Sequence, residues 1–199
     1  MSLPHEYFDR LYRSEHDPWR FRARWYERRK RDLTMAALPK AHYPAAFELG
    51  CSIGELTVAL AERCGYLLAC DISPRACAIA KERTASFANV IVEARTLPAQ
   101  WPVRAFDLIV VSEVAYYFDD EDLAQLVERA SASLAPGGSL VACHWRHPVA
   151  DYPQSAATVH AAFDAAPHLH CLVLHLESDF ILQVWSDDAR SVAQIEGLA

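Results

Sequence analysis

The segment Glu48-Leu49-Gly50-Cys51-Ser52-Ile53-Gly54-Glu55 sets small residues at two-residue spacing between acidic neighbours. Such a turn lets backbone come into contact with a ligand, and the amides of a following helix then point at it. Three chemistries use a turn of this kind. A dinucleotide site asks for G-x-G-x-x-G, but Ser52 and Glu55 stand at the second and third glycine positions, and a carboxylate at a helix N-terminus repels a pyrophosphate. Gly50 to Gly54 also spells the G-x-S-x-G of a hydrolase nucleophile elbow, with Asp107 and His144 following in the right order. Its oxyanion loop comes from an earlier strand, and here only an arginine-rich segment precedes the turn. The third chemistry is a nucleoside cofactor carrying a positive centre instead of phosphates. The carboxylates of Glu48, Asp71 and Glu93 suit it, and Asp71 lies 21 residues past Gly50, a separation at which an acid meets ribose hydroxyls.

The elements that must hold these groups are legible as an alternation. Short apolar runs at residues 45–50, 66–71, 89–93, 106–112 and 139–145 read as strands. Amphipathic stretches at 54–64, 74–85 and 120–134 read as helices, with Ser73-Pro74 as an N-cap and first helical position and Pro136-Gly137-Gly138 as a stop. This order predicts a mostly parallel sheet covered on both faces. After a helix at 153–165, residues 169–176 and 179–185 are joined by Glu177 and Ser178 and predict an antiparallel hairpin at the sheet's edge. The expected organisation is a helical arm or lid over residues 1–40, with a helix from Trp25 to about Leu38, on a single α/β domain over 41–199.

With 199 residues, 52% of them hydrophobic and 23% charged, the chain is globular rather than disordered or repetitive. No apolar run approaches the length of a membrane helix and no signal-peptide core opens the sequence, so a cytoplasmic protein without a membrane partner is expected. The six cysteines form no C-x-x-C pair. Residues 1–40 carry ten Lys/Arg against six Asp/Glu, while the rest carries nine against twenty, and this acidic body argues against broad nucleic-acid binding.

In order, ELGCSIG, ACDIS, VEARTLP, FDLIVVSEVAYY and LAPGGSLV resemble the five motifs of class I S-adenosylmethionine-dependent methyltransferases, over about residues 45–187. Ser52 stands where that family has a glycine, and Glu93 where it most often has Asp. Asp17-Pro18-Trp19-Arg20, Tyr26-Glu27-Arg28 and the run Ser112 to Phe118 are similar, more narrowly, to the nodulation protein S group, which N-methylates a deacetylated chitooligosaccharide. The resemblance implies a Rossmann-like, doubly wound, seven-stranded sheet with an antiparallel last strand, S-adenosylmethionine as cofactor with S-adenosylhomocysteine as product, and a small-molecule acceptor, an amino sugar among the candidates. It implies that Gly50, Cys51, Ser52 and Gly54 pass under the methionine and ribose, that Asp71 binds ribose hydroxyls, and that Ile72 meets the adenine face. It implies further that Glu93 or the Ala94 amide reads the adenine edge, and that Ser112 lines the methionine end.

Residues 16–31 interleave seven Arg/Lys with four aromatics, a composition suited to a lid, to a solvated charged helix, or to an RNA-binding arm and hence an RNA methyltransferase. The lid is the preferred reading, with Trp19 and Tyr26 closing it and Arg28 or Arg29 meeting the methionine carboxylate. For proton transfer Glu113 is the first candidate and His144 the second. Tyr116, Tyr117, Trp145, Arg146, His147 and Tyr152 suit a sugar ring and its hydroxyls. His144-x-x-His147 and His168-x-His170 lack a supporting carboxylate and a regular backbone, so no metal site is expected.

Overall fold

The computed structural model describes residues 1–199, organised by one seven-stranded sheet. Its strands are β1 (Tyr43–Leu49), β2 (Cys64–Asp71), β3 (Val90–Ala94), β4 (Phe106–Ser112), β5 (Leu134–Trp145), β6 (His170–Leu176) and β7 (Phe180–Ser186). They lie in the order β3-β2-β1-β4-β5-β7-β6, all parallel except β7. The order reverses at β1, so the crevice beyond the carboxyl ends of β1 and β4 is where an open sheet of this kind receives a ligand.

Side chains of successive strand residues point to opposite faces, and two apolar clusters result. Phe47, Leu49, Ile109, Val111, Leu140 and Trp185 face one way, and Ala46, Leu108, Val110, Val141 and Val184 the other. Helices α1 (His5–Ser14), α2 (Trp25–Ala37), α3 (Glu55–Ala61), α4 (Pro74–Arg83), α5 (Asp120–Ala132), α6 (Ala156–Asp164) and the short α7 (Val192–Ile195) cover them. Capping sets where several begin: the Ser73 hydroxyl accepts from Ala76 N ahead of Pro74, and Asp119 and Ser155 cap α5 and α6 in the same way. Phe8 and Tyr12 of α1, four residues apart on one face, join the first cluster, so the opening stretch shares the main core.

The expected antiparallel hairpin stands at the sheet's edge: β7, buried at six of seven positions, inserts beside β5, while β6, with Leu174 and Leu176 exposed, takes the outside. Two features differ from the sequence reading. Strand β5 starts at Leu134 rather than 139, and Pro136-Gly137-Gly138 form an irregularity inside it where the register against Phe106 and Leu108 shifts. Helix α1 is not singled out within the expected helical arm, although Tyr7, Phe8, Leu11 and Tyr12 recur on one face at helical spacing.

Candidate active site

Past β1 the chain turns through three left-handed residues, Gly50 (φ +67°), Ser52 (φ +50°) and Gly54 (φ +82°). At Gly50 the conformation and the space both demand glycine, since a Cβ would lie 2.9 Å from Val114. The turn is fixed to β2: Cys51 N donates to Cys70 O at 2.8 Å, and Ser52 N donates to Asp71 Oδ2 at 2.9 Å. The other Asp71 oxygen accepts from Ser73 N at 2.9 Å. Burial pushes the Asp71 carboxyl up to about 6 despite these donors. Glu48, 3% exposed and bonded by the Thr57 hydroxyl at 2.6 Å, is pushed by burial up to about 7.

Beyond β4, Glu113 also adopts a left-handed backbone (φ +54°). Its carboxylate accepts from Lys30 Nζ at 2.7 Å, from the Tyr116 hydroxyl, and from Trp145 N at 3.1 Å. Lys30 of α2 lies 3.0 Å from Glu27 as well, and 5.0 Å from the centre of the Tyr26 ring. Burial alone would lower the Lys30 ammonium, but the two carboxylates outweigh it and hold it above its ordinary value. A single 3-10 turn, Ala115–Tyr117, then delivers Tyr116 and Tyr117 to Tyr152, with Tyr116 stacked on it at 4.8 Å and the two other hydroxyls 3.3 Å apart.

A cavity of about 490 Å³ joins the two regions. Of the residues singled out in the sequence, Trp19, Tyr26, Gly50, Cys51, Ser52, Asp71, Ile72, Ser112, Glu113, Tyr116, Tyr117, Trp145 and Tyr152 line it. Leu3, Phe8 and Tyr12 close it from α1 and the residues before it.

The others fall elsewhere, each for a physical reason. Gly54 caps α3 and packs it on α4, where a Cβ would be 3.2 Å from Ala80. Arg28 is exposed, and Arg29 forms a two-pronged pair with Glu177 at 2.8 and 2.6 Å. Residues 24, 27, 31 and 34 share a helix face by their spacing, and that face carries Arg24, Glu27 and Arg31 to the cavity instead. Glu93 is bonded to Arg95, which lines the cavity in its place, and Ala94 is outside it with Glu93. Arg146 caps the β6–β7 turn at the Glu177 carbonyl, and His147 pairs with Asp179 at 2.7 Å.

His144 is wholly buried and does not reach the cavity. Its Nε2 accepts from Ala115 N at 3.2 Å, its Nδ1 lies 3.1 Å from His160 Nε2, and His160 Nδ1 lies 2.6 Å from Gln183 Oε1. The amide at one end and the carbonyl at the other fix both tautomers, so each ring donates through Nδ1. Burial holds both neutral, His144 well below its ordinary value and His160 down to about 4.

The hydrolase geometry is absent. The Ser52 hydroxyl shares a 2.6 Å bond with Tyr12, and Asp107, at the opposite end of the sheet, accepts from Ala45 N at 2.9 Å. The arm's cations face acids of the same chain, with Arg22 and Arg31 on Glu55 and Arg29 on Glu177.

Residues 5–165 match the family model described as nodulation protein S (NodS). The chain belongs to the nodulation protein S family. Among NodS relatives, those of Rhizobium tropici and Sinorhizobium fredii are 36% and 33% identical over 128 and 130 residues, 63% of this chain in each case. The chain spans 53% and 59% of the length of these curated relatives. Of solved structures, N-methyltransferase NodS from Bradyrhizobium japonicum in complex with S-adenosyl-l-homocysteine is 26% identical, with 92% of this chain and 97% of that one covered and a TM-score of 0.80. A Pseudomonas syringae protein provisionally named a methyltransferase is 48% identical over 82% of this chain and 99% of its own, with a TM-score of 0.73.

Proposed function

We propose that this NodS-family chain is an S-adenosylmethionine-dependent N-methyltransferase whose acceptor is a small-molecule amine, an amino sugar of the deacetylated chitooligosaccharide kind. The observation that carries the reading is the buried Asp71 carboxylate, held by two backbone amides on the floor of a 490 Å³ cavity beside the left-handed turn. That volume lies within the usual range for small-ligand sites, roughly 300–1,000 Å³. Tyr26 lines the cavity with its ring set edge-on against Trp145, 5.6 Å between ring centres. The Bradyrhizobium relative's complex with S-adenosylhomocysteine supports the same cofactor here.

When bound, S-adenosylmethionine supplies an electrophilic methyl group on a sulfonium centre. The chain's own part is to orient and to exclude water. Asp71 keeps lone pairs free for ribose hydroxyls beyond the two amides it accepts from. Ile72 and Leu97 offer apolar surface for the adenine, and the amides of the turn pass beneath the rest. On the far side Trp145, Tyr116 and Tyr152 form an aromatic wall suited to a sugar face. Alignment of two bound reactants contributes roughly 7–11 kcal/mol to such a transfer. No helix is long and apolar enough to cross a membrane, and five of the six free cysteines are buried thiols, which suits a reducing cytoplasmic setting.

The test is calorimetry with S-adenosylhomocysteine together with uptake of labelled methyl by chitosan oligomers, their N-acetylated counterparts and tRNA. Binding with uptake by the free-amine oligomers alone is the expected result, and a protein that binds no S-adenosylhomocysteine would refute the reading.

A further inference from the structure

Glu27 and Glu113 flank the same ammonium, Lys30, in different states of engagement. Both oxygens of Glu113 are taken, one by Lys30 and the other by the Tyr116 hydroxyl and Trp145 N. A carboxylate so surrounded holds position but has little capacity left to lift a proton from a ligand. Glu27 is 93% buried by its 7% exposure and lines the cavity, yet Lys30, at 3.0 Å, is the only donor on it. Around it stand Tyr26, Lys30 and Arg31 from α2, Glu113 from beyond β4, and Cys143 from β5. Arg31 is drawn toward Glu55 at 3.7 Å, so Glu27 and Glu113 share one close cation, the Lys30 ammonium.

We propose that Glu27, rather than Glu113, takes the proton from the acceptor's ammonium, with Lys30 and Glu113 as positioning residues. This rests on the N-methyltransferase reading above. In the step an N–H bond of the ammonium breaks and its electron pair stays on nitrogen as the lone pair that methylation needs. An O–H bond forms on Glu27, the two charges cancel, and no further reactant is required. Burial first, and the Glu113 charge with it, raise the Glu27 carboxyl above its ordinary value, against the opposing pull of Lys30 and Arg31. That moves it toward the range in which a base works near neutral pH.

The experiment compares wild type with E27Q on chitosan dimer, across pH. At pH 6.5 the kcat/KM of E27Q falls at least about a hundredfold, and it climbs back to within about tenfold of wild type by pH 9, where the free amine has shed its own proton. Affinity for S-adenosylhomocysteine stays within about twofold, because the group acts on the acceptor. Difference infrared spectra of wild type loaded with S-adenosylhomocysteine show a protonated carboxyl when the dimer is added and none with its N-acetylated form. This spectrum decides the matter even if E27Q does not fold. A wild type that methylates the dimer alongside an equally active E27Q would overturn this proposal alone, whereas a wild type that methylates no amine would end the parent reading. A tenfold loss of S-adenosylhomocysteine affinity in E27Q would also overturn it, by moving Glu27 to the cofactor's amino group.

Discussion

Tyr12 of α1 and Ser52 of the β1 turn share a hydrogen bond of 2.6 Å. It links the opening helix to the cavity floor and accounts for a serine where the family motif has glycine. Ser52 holds a left-handed backbone that costs a non-glycine residue about 1–2 kcal/mol, and the bond returns about 1 kcal/mol. Ser52→Gly should therefore change denaturant stability by less than about 1 kcal/mol. Stopped-flow release of S-adenosylhomocysteine should be several-fold faster, and an unchanged rate would count against the link.

Gly50→Ala faces both constraints at once, a φ of +67° and Val114 at 2.9 Å. A loss of about 1–3 kcal/mol in chemical denaturation is expected, because overpacking and backbone strain add. Val114→Ala in the same protein should recover part of it, by removing the contact while leaving the strain.

On the proposed reading Asp71 accepts from ribose hydroxyls, which it does best as a carboxylate, and burial raises it from its ordinary value to about 6. Affinity for S-adenosylhomocysteine should be full above pH 7 and weaken as pH falls through about 6. Asp71→Ala should bind at least about tenfold more weakly at pH 7.5, the loss of a charged acceptor worth about 1.5–3 kcal/mol, and should lose the acid dependence. Calorimetry at several pH values reads both effects.

The His144–His160 pair titrates in the unfolded chain near 6.5 but is held neutral in the fold, His160 until about pH 4. A depressed value means that the unfolded state binds protons first, so this stability is intact above pH 6.5 and drains as pH falls toward 4. Glu48 and Asp71, raised by burial, shift stability in the opposite sense, so a difference measurement is needed. His160→Leu should be less stable than wild type at pH 7.5, since Gln183 and His144 each lose a partner. That gap should shrink by roughly 3 kcal/mol by pH 4.5, measured by urea unfolding. A constant gap would mean that the pair is not neutral in the fold.

The strands, the glycine turn and Asp71 were legible because each is written locally, as apolar runs, small residues or an acid at a strand's end. What was not legible depends on rotation about helix axes and on pairing at long range. Arg28 and Arg29 looked equal to Lys30 in a basic run, yet the turn of α2 sends Arg29 out to Glu177, 148 positions along, and Lys30 inward to Glu113. The Glu27 to Lys30 spacing was the available sign, since residues three apart share a face. His144 sits on a strand beside cavity residues, but it lies in a wholly buried relay with His160 and Gln183, which only the docking of α6 on β7 creates. Glu93 reached the right edge of the sheet and was neutralised by Arg95, two positions on, with both side chains on the rim.

One wall of the cavity comes from residues between Leu3 and Thr34 and the opposite wall from the carboxyl ends of the strands. A molecule lodged between them touches both, so its binding free energy adds to whatever keeps the first stretch docked. Protection of those early amides from deuterium exchange must then grow with the logarithm of ligand concentration once the site is saturated, and a protease that needs them undocked becomes a gauge of occupancy.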